Sequence, residues 1–253
     1  MGNFNLTAMQ QVGVLTEGFA HAPYSDQHYN PPHIPGLLRD HGFEPVFPMG
    51  TFECDLERFD PGVLLGPRQQ EMLRHPQLRW EDIDLRHFAR VCEGFRQALN
   101  DGFDANPMFV PVTSEEFLFQ ARDLSHVMDP AISVLVHDHQ GPAGAIICIP
   151  DLNRLLRALG SHVGLTAPFH FIRFRMTRER AVMVFQSVAR RWQNRGLNGA
   201  MLHRMTEALK RRGYRRLGMT WIADSNGPSL RQMEKLGARP LHRLHLFRKP
   251  LVA

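Results

Sequence analysis

The sequence is poor in cysteine and has no long apolar run. Cys54, Cys92 and Cys148 are the only cysteines in 253 residues, and no two of them form a Cys-x-x-Cys pair. They fit neither a disulfide framework nor a cysteine zinc site, so we expect a reducing compartment. Apolar runs such as residues 143–150 are far shorter than the roughly 20 residues of a membrane helix. The first residues lack the basic and apolar regions of a signal peptide. These absences predict a cytoplasmic protein without a membrane span.

The composition also lacks the bias of a disordered, collagen-like or coiled-coil chain, because 43% of the residues are apolar and 22% are charged. The charges are divided along the chain. Residues 1–172 contain 11 basic and 21 acidic side chains, whereas residues 173–253 contain 19 and 4. Such a basic block attracts a polyanion, which charge alone does not identify: nucleic acid, an anionic membrane, an acidic protein or a multiply phosphorylated cofactor.

From about residue 80, strand-like and helix-like segments alternate, an order typical of a sheet covered by helices. A capping box at residues 113–116 predicts the start of one helix. Two β-rich runs, at residues 131–136 and 143–149, predict an antiparallel hairpin. Further predicted elements are a helix from Leu85, a short helix at 151–158, strands at 181–188, 216–222 and 241–247, and helices from Leu197 and Ser229.

The first 56 residues resemble the end of the chain. Asn30 precedes a predicted helix that stops at Gly42, and Asn226 precedes another that stops at Gly237. A strand is expected after each stop, and the two spacings, 12 and 11 residues, are nearly equal. Because Asn and Gly commonly mark helix ends, the spacing alone leaves open whether this is a repeat. Residues 57–80, with three prolines among polar residues, predict a linker.

The segment at residues 188–202 carries the most chemical information. It joins an apolar strand to an amphipathic helix through a loop that contains Gly196 and Gly199. Free amides at a helix start, the positive end of the helix dipole and missing Cβ atoms together form a cradle for a diphosphate. An ordinary turn that uses glycine for a positive φ is the alternative. The segment is neither a P-loop nor a Gly-x-Gly-x-x-Gly pattern.

The segment resembles the acetyl-CoA loop of the GNAT superfamily of N-acetyltransferases. Four of its residues are in register with that loop: Val188, Trp192, Gln193 and Gly196. Residues 221–226 and 234–238 are similar to the family's next strand, its Asn on the pantetheine side and the end of its next helix. The resemblance implies an α/β fold with a mixed, mostly antiparallel sheet flanked by helices.

The resemblance extends to a subgroup of bacterial GNAT-like proteins with two tandem lobes. Blocks at residues 3–4, 13–19, 29–32 and 41–43 resemble the end of the first lobe. The resemblance implies three parts: a partial N-terminal half-lobe at 1–56, a linker at 57–80 and a complete acyltransferase domain at 81–253. On this interpretation the chain begins inside the first lobe. The chain is then the product of a truncated gene, a fragment, or a short version whose sheet is completed by a partner chain, and a homodimer is one expectation.

The resemblance also implies where a substrate binds, namely acetyl-CoA or a longer acyl-CoA, without a metal. Phe185, Gln186 and Val188 are expected to face the acyl-pantetheine, and Asn226 its pantetheine arm. The diphosphate is expected against Gln193, Asn194, Arg195, Gly196, Leu197, Asn198 and Gly199. Charge-assisted phosphate contacts are expected from Arg190, Arg191 and Arg195.

Two positions depart from the family pattern. Asn198 replaces a second small residue, so its side chain is expected to obstruct close approach of the phosphates. Met233 stands where the family has a Tyr that protonates the leaving thiolate, and a thioether cannot donate a proton. Asp224, after a predicted strand, is a candidate base on the acceptor side, with a helix cap as the alternative. Residues 137–139, His-Asp-His, lack a third ligand and predict a solvated turn rather than a metal site.

The favoured function is therefore N-acyl transfer from an acyl-CoA to a small amine or amino-acid-like acceptor by direct attack. One variant of it takes acyl carrier protein, whose acidic surface suits the basic block, as donor. A non-catalytic acyl-CoA-binding or assembly module is the second hypothesis, supported by Met233 and Asn198. Nucleic-acid binding is the third, motivated by the basic block but without a recognition motif.

Overall fold

Eight strands form one sheet, and helices cover both of its faces. The computed structural model describes residues 12–104, 109–160 and 164–250, so residues 3–4 of the predicted first lobe lie outside the described residues. The strands are β1 (Val14–Glu17), β2 (Glu44–Asp55), β3 (Arg79–Trp80), β4 (Val134–Asp138), β5 (Gly141–Pro150), β6 (Arg180–Val188), β7 (Arg216–Ala223) and β8 (Arg239–Arg248). The α-helices are α1 (Ile34–Asp40), α2 (Pro67–Arg74), α3 (Phe88–Phe103), α4 (Ser114–Ala121), α5 (Asn153–Leu159), α6 (Ala167–Met176), α7 (Leu197–Arg211) and α8 (Gly227–Lys235).

The order across the sheet is β1-β8-β2-β7-β6-β5-β4-β3. Neighbouring strands are antiparallel except β6 and β7, which run parallel. Parallel neighbours need a crossover connection, and α7 supplies it. The predicted mixed, mostly antiparallel sheet flanked by helices is confirmed.

The units β1-α1-β2 and β7-α8-β8 interleave in this sheet. β8 lies between β1 and β2, and β2 lies between β8 and β7, so exchanging the two units leaves the pairing unchanged. The register agrees with this symmetry. At the centre of the repeat, Met49 of β2 pairs with Leu244 of β8. On their other edges, Met49 pairs with Ala223 of β7 and Leu244 pairs with Leu15 of β1. The similar spacing at the two ends of the sequence therefore corresponds to a structural repeat.

β2 is hydrogen-bonded along both of its edges, to β7 and to β8. The chain connects β7 and β8 directly through α8, yet in the sheet β2 separates them. Without β2, the facing backbone groups of both strands would have no partner. The domain boundaries at residues 56 and 80 stay predictions, but strands from both sides of them share this one sheet.

A buried carboxylate connects β2 to its surroundings. Glu53 accepts hydrogen bonds from the Tyr24 hydroxyl at 2.6 Å, from Arg216 at 3.0 Å and from Arg239 at 2.7 Å. Burial acts to raise the pKa of Glu53, but these donors and the two guanidinium charges outweigh it and hold the pKa below its ordinary value. The ionised carboxylate thereby links β2 with β7, β8 and the segment before α1.

Apolar cores cover both faces of the sheet. On one side, here called the α7 face, α7 and α8 bury side chains such as Met201 and Met233. On the other, the α3 face, α3 buries Phe95 and Leu99 against the sheet. The predicted stripe of α7 is confirmed, since all of its members are buried: Leu197, Met201, Met205, Ala208 and Leu209.

β6 and β7 separate halfway along their length. Their parallel pairing covers only residues 180–183 and 216–219. At Val184 the register of β6 with β5 shifts by one residue, because Phe185 pairs with Ile147 and Met183 with Cys148. This is a β-bulge, which bends the strand that carries it. Beyond the bulge, the backbone groups of β6 and β7 that would complete the ladder face a gap.

Two helices have no counterpart in the sequence prediction. α2 lies within the predicted linker, and α6 lies in the connection between β5 and β6. Residues 45–47 and 51–53, expected as two strand-like runs, belong to one bent strand, β2. Its bend includes Phe47, whose φ is 52°, and two shifts of register against β8.

Replacing Glu53 by Gln removes the charge and retains the shape. At pH 7 we expect the free energy of unfolding to fall by about 1–3 kcal/mol, toward the lower end because both arginines reach solvent. A lowered folded-state pKa stabilises above the unfolded pKa, and the effect is lost as the pH falls through the folded pKa. The variant should therefore also show a weaker loss of stability in acid. Urea unfolding at a series of pH values measures both effects.

Glu44→Gln is the matched control, because Glu44 is exposed on the same strand. We expect its stability to change by no more than about 0.5 kcal/mol. Equal losses in the two variants would contradict the role given to Glu53.

Candidate active site

The gap between β6 and β7 opens into a cavity of about 1080 Å³. Its wall includes Gly102 and Phe103 of α3 together with Gly199 of α7 and Met233 of α8. Since α3 and α7 cover opposite faces, the cavity passes through the sheet. Its volume lies just above the usual range for ligand sites, about 300–1,000 Å³.

α7 begins at the edge of this cavity. Its N-cap, Gly196, has a left-handed φ of 99°, and no side chain caps the helix. The amide of Ala200 bonds to the Gly196 carbonyl at 3.1 Å, so the amides of the three residues before Ala200 have no acceptor within the helix. Asn194, with a φ of 60°, shapes the preceding turn. These amides and the helix dipole suit an anion.

Most of the predicted substrate-binding residues line this cavity. They are Phe185, Gln186, Val188, Gln193, Asn194, Gly196, Asn198, Gly199 and Asn226. Two do not line it: Leu197 is fully buried in the core, and Arg195 stacks on Trp192 at 5.3 Å from the ring centre. Asn198, the expected obstruction, accepts a hydrogen bond from Gln186 through its side-chain oxygen. That bond holds the Asn198 side chain against β6.

The two loop glycines allow α2 to approach α7. A Cβ at Gly196 would lie 3.1–3.3 Å from atoms of Arg68, two of them backbone atoms, and a Cβ at Gly199 would lie 2.9 Å from the Gln69 side chain. The first turn of α2 thus packs directly on the start of α7. The glycines therefore serve helix packing, which the loop sequence alone does not show.

The arginines before α7 have acidic or aromatic partners. Arg190 donates to Asp104 at 2.5 Å, and Arg191 forms a two-point pair with Asp138 at 2.7 and 3.0 Å. Each of Arg190, Arg191 and Arg195 therefore has a partner within the protein, and their contact with phosphates stays a prediction.

Three other cations line the cavity: Arg68 of α2, and Arg231 and Lys235 of α8. All three are exposed, and they belong to helices on the face where α7 begins. They add positive charge at the edge of the cavity on that face. Arg68 escaped prediction because it lies in the predicted linker, far along the sequence from the loop.

Asp138 fixes the turn that precedes α7. Besides pairing with Arg191, its carboxylate accepts a hydrogen bond from the Trp192 indole at 2.5 Å, and only 1% of the side chain is exposed. The bond from Arg191, above all, holds the pKa of Asp138 well below its usual range. His137 lies 2.6 Å from Glu81. The prediction of a solvated turn is therefore wrong for Asp138. Within the described residues, no group of three His, Cys, Asp or Glu side chains is arranged to hold a metal ion.

Aromatic side chains line the cavity on the α3 face. The ring of Phe103 lies 5.7 Å from that of Phe109 and 6.4 Å from that of Phe185, measured between centres, and all three contribute to the wall. The Ser187 hydroxyl donates to the Ala98 carbonyl at 2.8 Å and so fixes α3 against β6. This part of the cavity suits an apolar group.

Asp26 is the one acidic residue among the described residues that line the cavity. It lies beside Tyr24, which packs on the α3 face with Val182. The neighbouring Gln27 donates to the carbonyl of Met219, the last residue of β7 paired with β6, at 3.0 Å. Asp26 has a φ of 67°, uncommon for a residue with a side chain. The Asp26 side chain is exposed at the cavity, and partial desolvation by the surrounding protein, with no charged partner involved, raises the pKa of Asp26 to about 6.

Asp224, the base candidate from the sequence, has a different environment. It pairs with Arg243 at 2.9 and 2.7 Å, and this interaction holds the pKa of Asp224 below its ordinary value. A general base that works near neutrality needs the opposite shift. Geometry and charge therefore favour Asp26. No local pattern identifies Asp26, because the segment that carries it is held by a contact of Gln27 with β7, 192 residues away along the sequence.

The position of the expected acid is apolar. Met233 is 3% exposed and packs in the α7-face core. Tyr24 donates to Glu53, and the Tyr214 hydroxyl lies 3.4 Å from Asp129. Burial raises the pKa of both phenols, which makes neither a ready proton donor.

The sheet order, the bulge with its gap and the start of α7 agree with a family match. The model of the acetyltransferase (GNAT) family matches residues 106–238. The chain belongs to this family. β2, α2 and Asp26 of this GNAT chain lie outside the matched residues.

Two curated relatives align with 99% of the GNAT chain. Protein YghO of Escherichia coli (strain K12) is 22% identical over 259 residues, and the alignment covers 65% of its length. The bacterial ceramide synthase of Caulobacter vibrioides (strain NA1000 / CB15N) is 20% identical over 260 residues, with 66% covered. The chain thus spans slightly less than two thirds of the length of these relatives.

A solved structure shares the fold. A GCN5-related N-acetyltransferase from Sphaerobacter thermophilus superposes with a TM-score of 0.58 at 18% identity, covering 96% of this chain and 61% of the other. In the part of the chain that the structure describes, no helix is long and apolar enough to cross a membrane.

Gly196→Ala tests the packing of α2 on α7. A left-handed φ costs an alanine about 1–2 kcal/mol, and the new methyl group would also meet the Arg68 backbone. We expect a lower melting temperature and weaker CoA binding in titration calorimetry.

Gly213→Ala is the matched control, since Gly213 has a φ of 84° and open space around its Cβ position. Gly213→Ala should lose only the stability that the left-handed φ costs an alanine, and it should bind CoA normally. If Gly196→Ala lost no more stability than Gly213→Ala, the packing argument would fail.

Proposed function

We propose that this chain transfers an acyl group from an acyl-CoA to an amine, and that the acyl group is long. The observation that carries the proposal is the cavity that passes through the sheet. On the α7 face it meets the uncapped start of α7 and three cations, and on the α3 face it meets the Asp26 carboxylate and aromatic rings. An acyl thioester placed in the gap would have its diphosphate and its reacting carbonyl on opposite sides of the sheet.

On the α7 face, the protein would bind and orient the donor. The amides at the start of α7 and the charges of Arg68, Arg231 and Lys235 suit the phosphates. Asn226 and the unpaired backbone of β6 beyond Val184 suit the amide groups of a pantetheine arm. This arrangement would fix the thioester carbonyl at the gap, where position contributes most to the rate.

On the α3 face, Asp26 would act as the base. It takes a proton from the attacking amine while the amine nitrogen forms a bond to the carbonyl carbon. The bond from carbon to sulfur then breaks, and the thiolate leaves with the electron pair. Since Met233 cannot donate a proton, the protonated Asp26 or water supplies it to the thiolate.

Two features support a long acyl chain. Phe103, Phe109 and Phe185 give the cavity an apolar wall beside the gap, and the volume exceeds what an acetyl group needs. A relative, named a bacterial ceramide synthase, points the same way by its name. The acceptor is then an amine with an apolar chain of its own. The proposed compartment for the reaction is the cytoplasm.

Donor binding tests the proposal first. Titration calorimetry with CoA, acetyl-CoA, octanoyl-CoA and palmitoyl-CoA should show affinity that rises with chain length, since each buried methylene contributes about 0.8 kcal/mol. Arg68→Ala should weaken the binding of all four about tenfold through the loss of a charge-assisted contact. Arg74→Ala, at the other end of α2, is the control and should bind normally. Equal affinity for all four ligands would exclude the long chain.

Thiol release in the presence of an amine panel tests the reaction. Acyl-CoA binding without release under any condition would support the second candidate, a non-catalytic acyl-CoA-binding module, which the apolar position of Met233 favours. Thiol release from acylated carrier protein alone would identify that protein as the donor. Its acidic surface would then contact Arg68, Arg231 and Lys235 at the opening of the cavity.

Asp26→Asn should lower kcat by about 100-fold or more, the effect of removing a general base. In the unmodified chain the base must be ionised, so kcat should rise with pH through about 6 and level off above it. The variant should lose this step while KM for the donor stays unchanged. Asp40→Asn, on α1 and outside the cavity wall, is the control. A pH step near 6 that persists in Asp26→Asn would assign the base to another group.

A further inference from the structure

The connection between β5 and β6 is far longer than the sheet requires. The two strands are antiparallel neighbours, and Pro150 at the end of one pairs with Ala181 near the start of the other. Such a hairpin closes with two to five residues, yet residues 151–179 intervene and contain α5 and α6. The sheet pairing therefore does not account for α5 and α6.

One face of α6 and the residues before it is apolar and exposed. Leu165, Phe169, Ile172 and Met176 follow one another at intervals of four, three and four, so they form a single stripe. They are 103%, 65%, 58% and 79% exposed. The opposite side of the helix carries half-buried aromatic rings such as Phe171, and no residue of α6 is fully buried. A helix that is apolar on both sides needs a second apolar environment.

The charges around this stripe have one sign. Residues 152–178 contain five arginines and no acidic residue. Two of the five have carboxylate partners, since Arg154 lies 3.1 Å from Glu179 and Arg178 lies 3.8 Å from Asp129. The other three are Arg157, Arg173 and Arg175; Arg175 lies over the Phe171 ring at 5.8 Å. Cations beside an exposed apolar stripe match the surface of an anionic membrane, where headgroups meet acyl chains.

We propose that α6 docks this chain on an anionic lipid surface, with the stripe from Leu165 to Met176 in the bilayer interface and the arginines of α5 and α6 against lipid phosphates. Duplex nucleic acid would satisfy the arginines but leave the apolar stripe uncovered, and a second copy of this chain would bring the same positive charge to the contact. The proposal does not depend on the proposed reaction, because lipid binding needs no substrate turnover.

Vesicle flotation tests the docking. The purified chain should float with vesicles of phosphatidylcholine mixed with phosphatidylglycerol and float far less with phosphatidylcholine alone. Phe169→Ser/Met176→Ser should reduce the bound fraction at any salt concentration. Arg173→Glu/Arg175→Glu should weaken binding by about tenfold or more at low salt, since each cation near the surface contributes about 1 kcal/mol.

The controls change similar side chains elsewhere. Leu37→Ser/Val63→Ser removes two apolar side chains that are 50% and 60% exposed, and Arg58→Glu reverses a charge on an exposed side chain outside α5 and α6; both variants should float normally. All variants should keep the CoA affinity of the unmodified chain, which shows that they are folded and separates this test from that of the acyl transfer. Three results would overturn the proposal: no flotation with either vesicle, flotation unchanged in both α6 variants, or self-association or DNA binding through α6 without vesicle binding.

Discussion

The insertion of β2 between β7 and β8 is the constraint on which the rest of the structure depends. β7 and β8 follow each other in the chain, yet each hydrogen-bonds to β2 and not to the other. Glu53, with its donors from Tyr24, Arg216 and Arg239, adds a charged contact at the same place. Because β7 is held on this side along residues 216–223, its other side is free to part from β6.

The candidate site is a consequence of that parting. Val184 bulges out of register, β6 turns away, and the gap reaches α7 on one face and α3 on the other. Residues outside the family match contribute to the openings of the cavity on both faces of the sheet. Arg68 comes from the segment expected to be a linker, and Asp26 from the segment before α1. A description limited to residues 106–238 would therefore contain the cradle but neither the cation from α2 nor the carboxylate.

Local signals for helix starts and helix ends made the central part of the chain predictable. The capping box at Thr113, the stop at Gly213 and the apolar stripe of α7 each depend on neighbours within one or two turns, and each is seen in the structure. Long-range pairing was not predictable in this way. Arg191 pairs with Asp138, 53 residues away in the sequence. The local sequence does not reveal that partner, and the charge of the arginine alone suggested a phosphate contact. α6 was missed because apolar side chains lie on both of its sides, with Phe171 and Phe174 between the members of the exposed stripe, so its pattern is not that of an ordinary amphipathic helix. α2 was missed because it packs on Gly196 and Gly199, which are far along the sequence.

The interleaved repeat also bears on how the chain folds. Val14 of β1 pairs with His245, so an early segment finds its partner only near the other end of the sequence. During synthesis β2 must wait until both β7 and β8 have left the ribosome, with its edges unpaired in the meantime. Such distant contacts slow folding, and unpaired strand edges invite aggregation. The strand that completes the sheet is thus also one whose two edges stay unpaired through most of synthesis.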